Sequence, residues 1–190
     1  MSPKELKDMT LEELWELFPI VLTAHNSQWA AWAAAEITTL MEILSALSPT
    51  INHIGSTAIP GICAKPIIDI LVEIRSGSDW SALSPTLKRA EYICMSESES
   101  RMSFNKGYTP TGFANKVFHL HIRHNGDNDE LFFRDYLLTH PATAREYETL
   151  KLSLLPAYRH DRDGYTAAKS DFVNRVTQLA KQTVHESDGE

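Results

Sequence analysis

The residues of this chain whose types and spacing could do chemistry begin with Gly55-Ser56, Lys65 and Asp69. Glycine lets backbone approach a ligand closely, serine offers a hydroxyl to a phosphate oxygen, and lysine brings a compact positive charge. Asp69 lies in the run Ile68-Asp69-Ile70-Leu71-Val72-Glu73-Ile74, where a lone carboxylate is costly to bury without a partner. Strand alternation puts Ile68, Ile70 and Val72 on a core face and Asp69, Leu71 and Glu73 on the other, so Asp69 is expected to line a cleft. The same segment also fits a plain turn between two strands with a structural aspartate. His119-Leu120-His121 sets two imidazoles on one side of a strand, roughly 6.6 Å apart. That spacing suits one metal or one phosphate, and equally a polar surface ladder. Arg134 is placed to reach an anion or to pair with a carboxylate. Tyr147 with Lys151, and Tyr165 with Lys169, are i,i+4 pairs. Each offers a hydroxyl and an ammonium on one helix face, or simply a solvated face with snorkelling lysines.

These groups must be positioned by regular elements. Ser2-Pro3-Lys4-Glu5 and Thr10-Leu11-Glu12-Glu13 each fit a capping box, the second opening a short helix over 11–17 that ends before Pro19. Residues 20–23 read as extended. Ser27 is placed to cap a long helix to Leu47, with Trp29, Ala33, Ile37, Leu40 and Leu44 at helical spacing. Strands are expected near 51–54 and 66–74, then a helix over 80–90 capped by Asp79. Further strands are expected over 92–95, 102–108 and 117–124, the last two separated by a loop over 109–115. The remainder reads as helices over 129–139, 141–155 and 165–182, with Pro141 in a first turn and His160–Gly164 as a break. The order predicts an α+β fold: a mixed sheet of about five strands packed by helices, with a helical C-terminal portion. It is expected to form one domain over 1–190, with an N-terminal helical extension over about 1–19.

The 190 residues suffice for a sizeable core, and the composition is that of an ordinary soluble globular chain. With 18 Lys and Arg against 25 Asp and Glu, the net charge is −7. Generic nucleic-acid binding is therefore disfavoured, and a polyanionic ligand would need a local cluster of cations. No apolar run approaches a membrane span, the N-terminus has no apolar signal core, and Cys63 and Cys94 stand far apart. These features point to the cytoplasm, with reduced thiols.

Together the segments resemble the GrpB family, whose members have a nucleotidyltransferase-like fold. The resemblance is carried by H-I-G-S-T-A-I-P-G (53–61), A-K-P-I-I-D-I-L-V (64–72), H-L-H-I (119–122), F-R-D-Y-L with H-P (133–137, 140–141), Tyr147 with Leu150-Lys151, and Tyr165-Thr166 with Lys169. It implies a cleft in which Gly55, Ser56, Thr57, Lys65, Arg134, Lys151, Tyr165 and Lys169 hold a phosphate-containing small molecule, a nucleotide. Asp69, His119 and His121 would be the catalytic and metal-holding residues. The metal would be magnesium or manganese, or zinc if the histidines ligate. In the wider superfamily an Asp-x-Asp strand holds two ions; here the second carboxylate position is Leu71. Two readings follow from the resemblance: transfer of a nucleotidyl group to an acceptor, or an inactive nucleotide-binding or accessory module in nucleotide or coenzyme A metabolism. The second draws on a related domain fused to dephospho-CoA kinase in some bacteria.

Overall fold

The computed structural model describes residues 4–187, with side chains through Thr183; the Ser2 capping box lies outside them. The other capping box forms: Thr10 Oγ1 accepts from the Glu13 amide (3.2 Å) and the Glu13 carboxylate from the Thr10 amide (2.6 Å). It opens α1 (Leu11–Leu17). Phe18 follows, 3% exposed, packed on the rings of Tyr108 (4.7 Å) and Phe113 (4.9 Å). The N-terminal extension is thereby pinned to the end of the sheet.

Helix α2 (Gln28–Ile43) buries Trp29, Ala33 and Leu40, the helically spaced stripe expected of it. Its cap differs from expectation. Asn26 Oδ1, not the Ser27 hydroxyl, accepts from the Gln28 amide (3.0 Å). Helix α3 (Leu83–Arg89) starts later than expected, because Asp79 bonds the Ser81 amide (2.8 Å) and holds a turn ahead of it.

Five strands make one mixed sheet: β1 (Thr50–Ile54), β2 (Ile68–Ile74), β3 (Ile93–Glu97), β4 (Arg101–Thr109) and β5 (Gly112–His124), in the order β1-β2-β5-β4-β3. Only β2 and β5 run parallel; the other neighbours are antiparallel. The α+β expectation is met, but the loop expected over 109–115 is strand. A two-residue turn, Pro110-Thr111, joins β4 to β5, and Thr109 Oγ1 donates to the Gly112 carbonyl (2.8 Å).

The sheet has two unlike faces. Ile68, Ile70, Val72 and Ile74 join Phe118, Leu120, Ile122, Met102 and Phe104 in the main core, covered by α2 and α3. The opposite face of the central pair carries Asp69, Leu71 and Glu73 beside His119, His121 and Arg123. A second, smaller core forms where Ile59 and Ile62, from the loop before β2, meet Phe133, Leu137, Ala144, Tyr147 and Val176. Those last residues come from α4 (Asp129–Thr139), α5 (Pro141–Tyr158) and α7 (Ser170–Ser187). Two boundaries depart from expectation. Helix α5 runs past Leu155 and holds Pro156 within its last turn. The last helix is two: α6 (Arg162–Ala167), capped by Asp161 on the Gly164 amide (2.8 Å), then α7.

Glu73 shows how the polar face is held. It is 6% exposed, and its Oε1 accepts from the Gly126 amide and Asn128 Nδ2, both at 3.0 Å. The carboxylate thus anchors the turn between β5 and α4. We expect Glu73→Ala to lose about 1–3 kcal/mol of stability, since it removes two hydrogen bonds to a charged, buried acceptor. Urea unfolding measures this; an unchanged midpoint would mean that the turn does not need the anchor.

Candidate functional site

The site starts at the end of β1. Gly55 takes φ +71° with extended ψ, a backbone region that favours glycine. A Cβ there would stand 2.5 Å from Asp69 Oδ2. Gly55 is therefore required by the close approach of the Asp69 carboxylate as much as by any ligand. The parallel register then sets Asp69 beside His119 and Leu71 beside His121. Asp69 Oδ1 lies 3.2 Å from His119 Nδ1 and 3.7 Å from His121 Nε2. One ligand atom from each of the three residues falls within 4.8 Å of the others. Burial alone would raise the Asp69 carboxyl, but the two imidazoles of His119 and His121 beside it outweigh burial and hold it well below the usual carboxylate range. Burial also lowers His119 against the pull of Asp69, which favours the neutral imidazole.

A row of cations stands next to this cluster. Lys65 and Lys169 both point at the Tyr165 ring, at 5.8 and 4.6 Å, and Lys151 lies 4.8 Å from the Tyr147 ring. Among the described residues, the ammonium groups of Lys65 and Lys169 have neither a hydrogen bond nor an ion pair within 4 Å, although Asp69 acts on both electrostatically. Burial, then the charges of Lys169 and Arg162, bring Lys65 down to about 7. Burial and Lys169 bring Lys151 down to about 8, and burial lowers Lys169 against the pull of Asp69. Tyr165 is fully buried, so it serves as the floor of the site, and its hydroxyl donates to the Lys151 carbonyl (3.2 Å).

Other expected site residues are engaged within the fold. Thr57 is buried; its hydroxyl donates to the Ile67 carbonyl (3.3 Å) and accepts from His53 Nε2 (2.9 Å). Arg134 donates to the His53 carbonyl (2.8 Å) and to Asp135 (2.7 Å), tying α4 to β1. Lys151 donates to the Cys63 carbonyl while Glu148 accepts from the Cys63 amide, so α5 clamps the loop that carries Lys65. Burial raises the Tyr147 phenol, a group that sequence reasoning paired only with Lys151, and the neighbouring Ser56 offsets part of that rise. The two i,i+4 pairs are not solvated faces: Tyr147, Lys151 and Tyr165 are all buried.

Two residues were not singled out from the sequence. Tyr108 shares a hydrogen bond with His119 Nε2 (2.8 Å), and Arg162 donates to the Tyr108 oxygen (2.9 Å). The β4–β5 pairing slips just there, one residue of β4 (Gly107) facing four of β5 (Ala114 to Val117). Lys106 lies over Phe118 on the core face while Tyr108 meets His119 on the other, so the strand changes faces across Gly107, at φ +89°. A glycine inside a strand pattern was the available signal.

Residues 19–179 match the family described as GrpB protein. The chain belongs to the GrpB family. It is 36% identical to the glutamate-rich protein GrpB of Alkalihalophilus pseudofirmus over 83% of this chain and 93% of that one. It is 38% identical to a UPF0157 protein of Pseudomonas aeruginosa over 78% of this chain, a match that spans 62% of the longer relative. The crystal structure of conserved protein GrpB from Enterococcus faecalis superposes with a TM-score of 0.75 at 29% identity, covering 86% of this chain and 99% of that one. Among the described residues no helix is long and apolar enough to cross a membrane.

The titration of Lys65 makes the cation row testable. Folded, it loses its proton near pH 7; unfolded, near its ordinary 10.5. Between those values the unfolded chain binds more protons, so this group makes stability rise with pH across the window. Below about pH 7 the lysine is charged in both states, and its burial and its repulsion by Lys169, Arg162 and Lys151 are fully present. An anion in the site favours the charged form. We expect inorganic triphosphate to bind more tightly at pH 6 than at pH 9 by isothermal titration calorimetry. Lys65→Met should flatten the profile, and an equally steep profile in that variant would refute the assignment.

Proposed function

We propose that this chain binds a phosphate-containing small molecule, a nucleotide, with its phosphates against Lys65, Lys169 and Ser56 and a single divalent metal at Asp69, His119 and His121. The observation that carries the reading is the uncompensated cation row beside the Asp-His-His cluster. Two half-buried ammonium groups without a carboxylate within ion-pair distance raise the free energy of the empty fold, and phosphate oxygens are the groups that would relieve it. The nucleotidyltransferase-like arrangement implied by the resemblance supports the same ligand class.

The donor chemistry fits a metal that accepts imidazole. Two ring nitrogens and one carboxylate oxygen suit zinc or manganese better than magnesium, which prefers an all-oxygen octahedron. Such an ion would neutralise phosphate oxygens as a Lewis acid. The protein's own groups do the rest: Lys65 and Lys169 attract the phosphates and Tyr165 keeps water from beneath them.

Leu71 and Glu73 favour binding over turnover. Leu71 is fully buried, and Glu73 is committed to Gly126 and Asn128. Neither supplies the second carboxylate of a two-metal centre. In the transfer reading, an acceptor hydroxyl oxygen bonds to the α-phosphorus, the bond to the β-phosphate breaks, pyrophosphate leaves and the hydroxyl proton goes to solvent. In the binding reading, the nucleotide is held without that release.

Calorimetry with nucleoside triphosphates, with and without manganese or zinc, tests the site. We expect metal to strengthen binding in the wild type and to have no effect in Asp69→Asn. Lys65→Ala or Lys169→Ala should weaken binding on the order of tenfold to hundredfold, the worth of a hydrogen bond to a charged group. If no triphosphate binds under any condition, the reading fails. Pyrophosphate release in the same mixtures would decide for transfer.

A further inference from the structure

We infer that Tyr108, held by Arg162, is the positioning residue of the Asp69-His119-His121 cluster: its hydroxyl holds Nε2 of His119 and so keeps Nδ1 turned toward Asp69 and a bound metal. The inference rests on the metal-site part of the reading above.

The argument is one of donors and acceptors. Arg162 has only N–H donors, so in its contact with Tyr108 (2.9 Å) the phenol oxygen accepts. The phenol proton is then free for the other neighbour, His119 Nε2, at 2.8 Å. With Nε2 accepting, the neutral ring carries its proton on Nδ1, the nitrogen that lies 3.2 Å from Asp69 Oδ1. Arg162, Tyr108, His119 and Asp69 thus form one continuous run of polar contacts.

Metal binding requires the other arrangement. A ligand nitrogen offers its lone pair, so a metal between Asp69 and His119 needs Nδ1 without a proton and Nε2 with one. Tyr108 must then accept from His119 as well as from Arg162. The hydroxyl donates to His119 in the first arrangement and accepts from it in the second, its own proton then turning to solvent, since Tyr108 is only half-buried. Phenylalanine supports neither, and would leave the half-buried Nε2 N–H without its protein partner whenever Nδ1 ligates.

The fold places this hydroxyl with several independent constraints. Gly107 turns the strand over, and a Cβ there would run into the Lys116 carbonyl. The Tyr108 ring is packed by Phe18 at 4.7 Å and Phe113 at 5.2 Å, with the Arg162 guanidinium 5.7 Å from its centre. Packing alone would be met by phenylalanine; the hydroxyl has no partners beyond His119 and Arg162 among the described residues.

The test is a metal titration of the full chain, with zinc against a chromophoric chelator and with cobalt(II) read by its visible spectrum. We expect one metal per chain in the wild type. Tyr108→Phe should bind about 10–100-fold more weakly, the range for loss of an outer partner of a metal-bound histidine, with an altered cobalt spectrum. Phe18→Leu loosens the same aromatic packing without touching the hydroxyl and should keep wild-type affinity. Circular dichroism confirms that each variant is folded. Equal affinity in the wild type and Tyr108→Phe overturns the inference and leaves the metal site standing. Equal weakening in Phe18→Leu overturns it by assigning the effect to packing. No metal bound by the wild type overturns the metal site itself, and this inference with it.

Discussion

A carboxylate placed on the inner part of a sheet has to be met by donors, and the arrangement around Asp69 follows from that requirement. Desolvation opposes its charge, and two imidazoles restore it. They arrive together because β2 and β5 run parallel in a register that sets Asp69 against His119 and Leu71 against His121. Gly55 clears the space on the other side. The Arg162–Tyr108 pair then fixes the outer edge of His119. Four separate parts of the chain are tied to one side chain, which makes this polar face of the sheet as ordered as its apolar one.

The cations depend on a different device. An acidic chain, net −7, concentrates Lys65, Lys151, Lys169 and Arg162 on one side of the cluster. Their ammonium groups lie over the faces of Tyr147 and Tyr165, where ring quadrupoles offset part of the lost hydration. Burial lowers all three lysines, and repulsion by neighbouring cations adds to the lowering of Lys65 and Lys151. The clamp of α5 on the Cys63 backbone keeps the Lys65 loop in this unfavourable position. Stability given up locally in this way is characteristic of a site prepared for an anion.

Leu71 and Glu73 divide fold from chemistry. They share the face of Asp69, yet one is closed off by packing and the other holds a turn. The central strand of this GrpB family member therefore supplies one carboxylate to the site, and the neighbouring strand supplies nitrogen. That donor set changes which metals the site suits, and how much of a two-ion mechanism it could support.

Local pattern in the sequence determined much of this. Period-two alternation separated the Ile68, Ile70, Val72 face from the Asp69 face, and spacing put His119 and His121 together. Helical periodicity found α2, α4 and α5, and the five-strand count follows from the apolar runs. What periodicity could not carry was decided by contacts between distant segments. The burial of Lys151 depends on a carbonyl at Cys63, the engagement of Thr57 on His53 and Ile67, and the direction of Arg134 on the His53 carbonyl. Tyr108 was hidden for a further reason. Its face is set by the slip in pairing at Gly107, and alternation counted along one strand has no knowledge of its partner. The opening Gly-Ser pair shows the same limit: the sequence offered a flexible backbone, and only the packed sheet revealed that the flexibility makes room for Asp69.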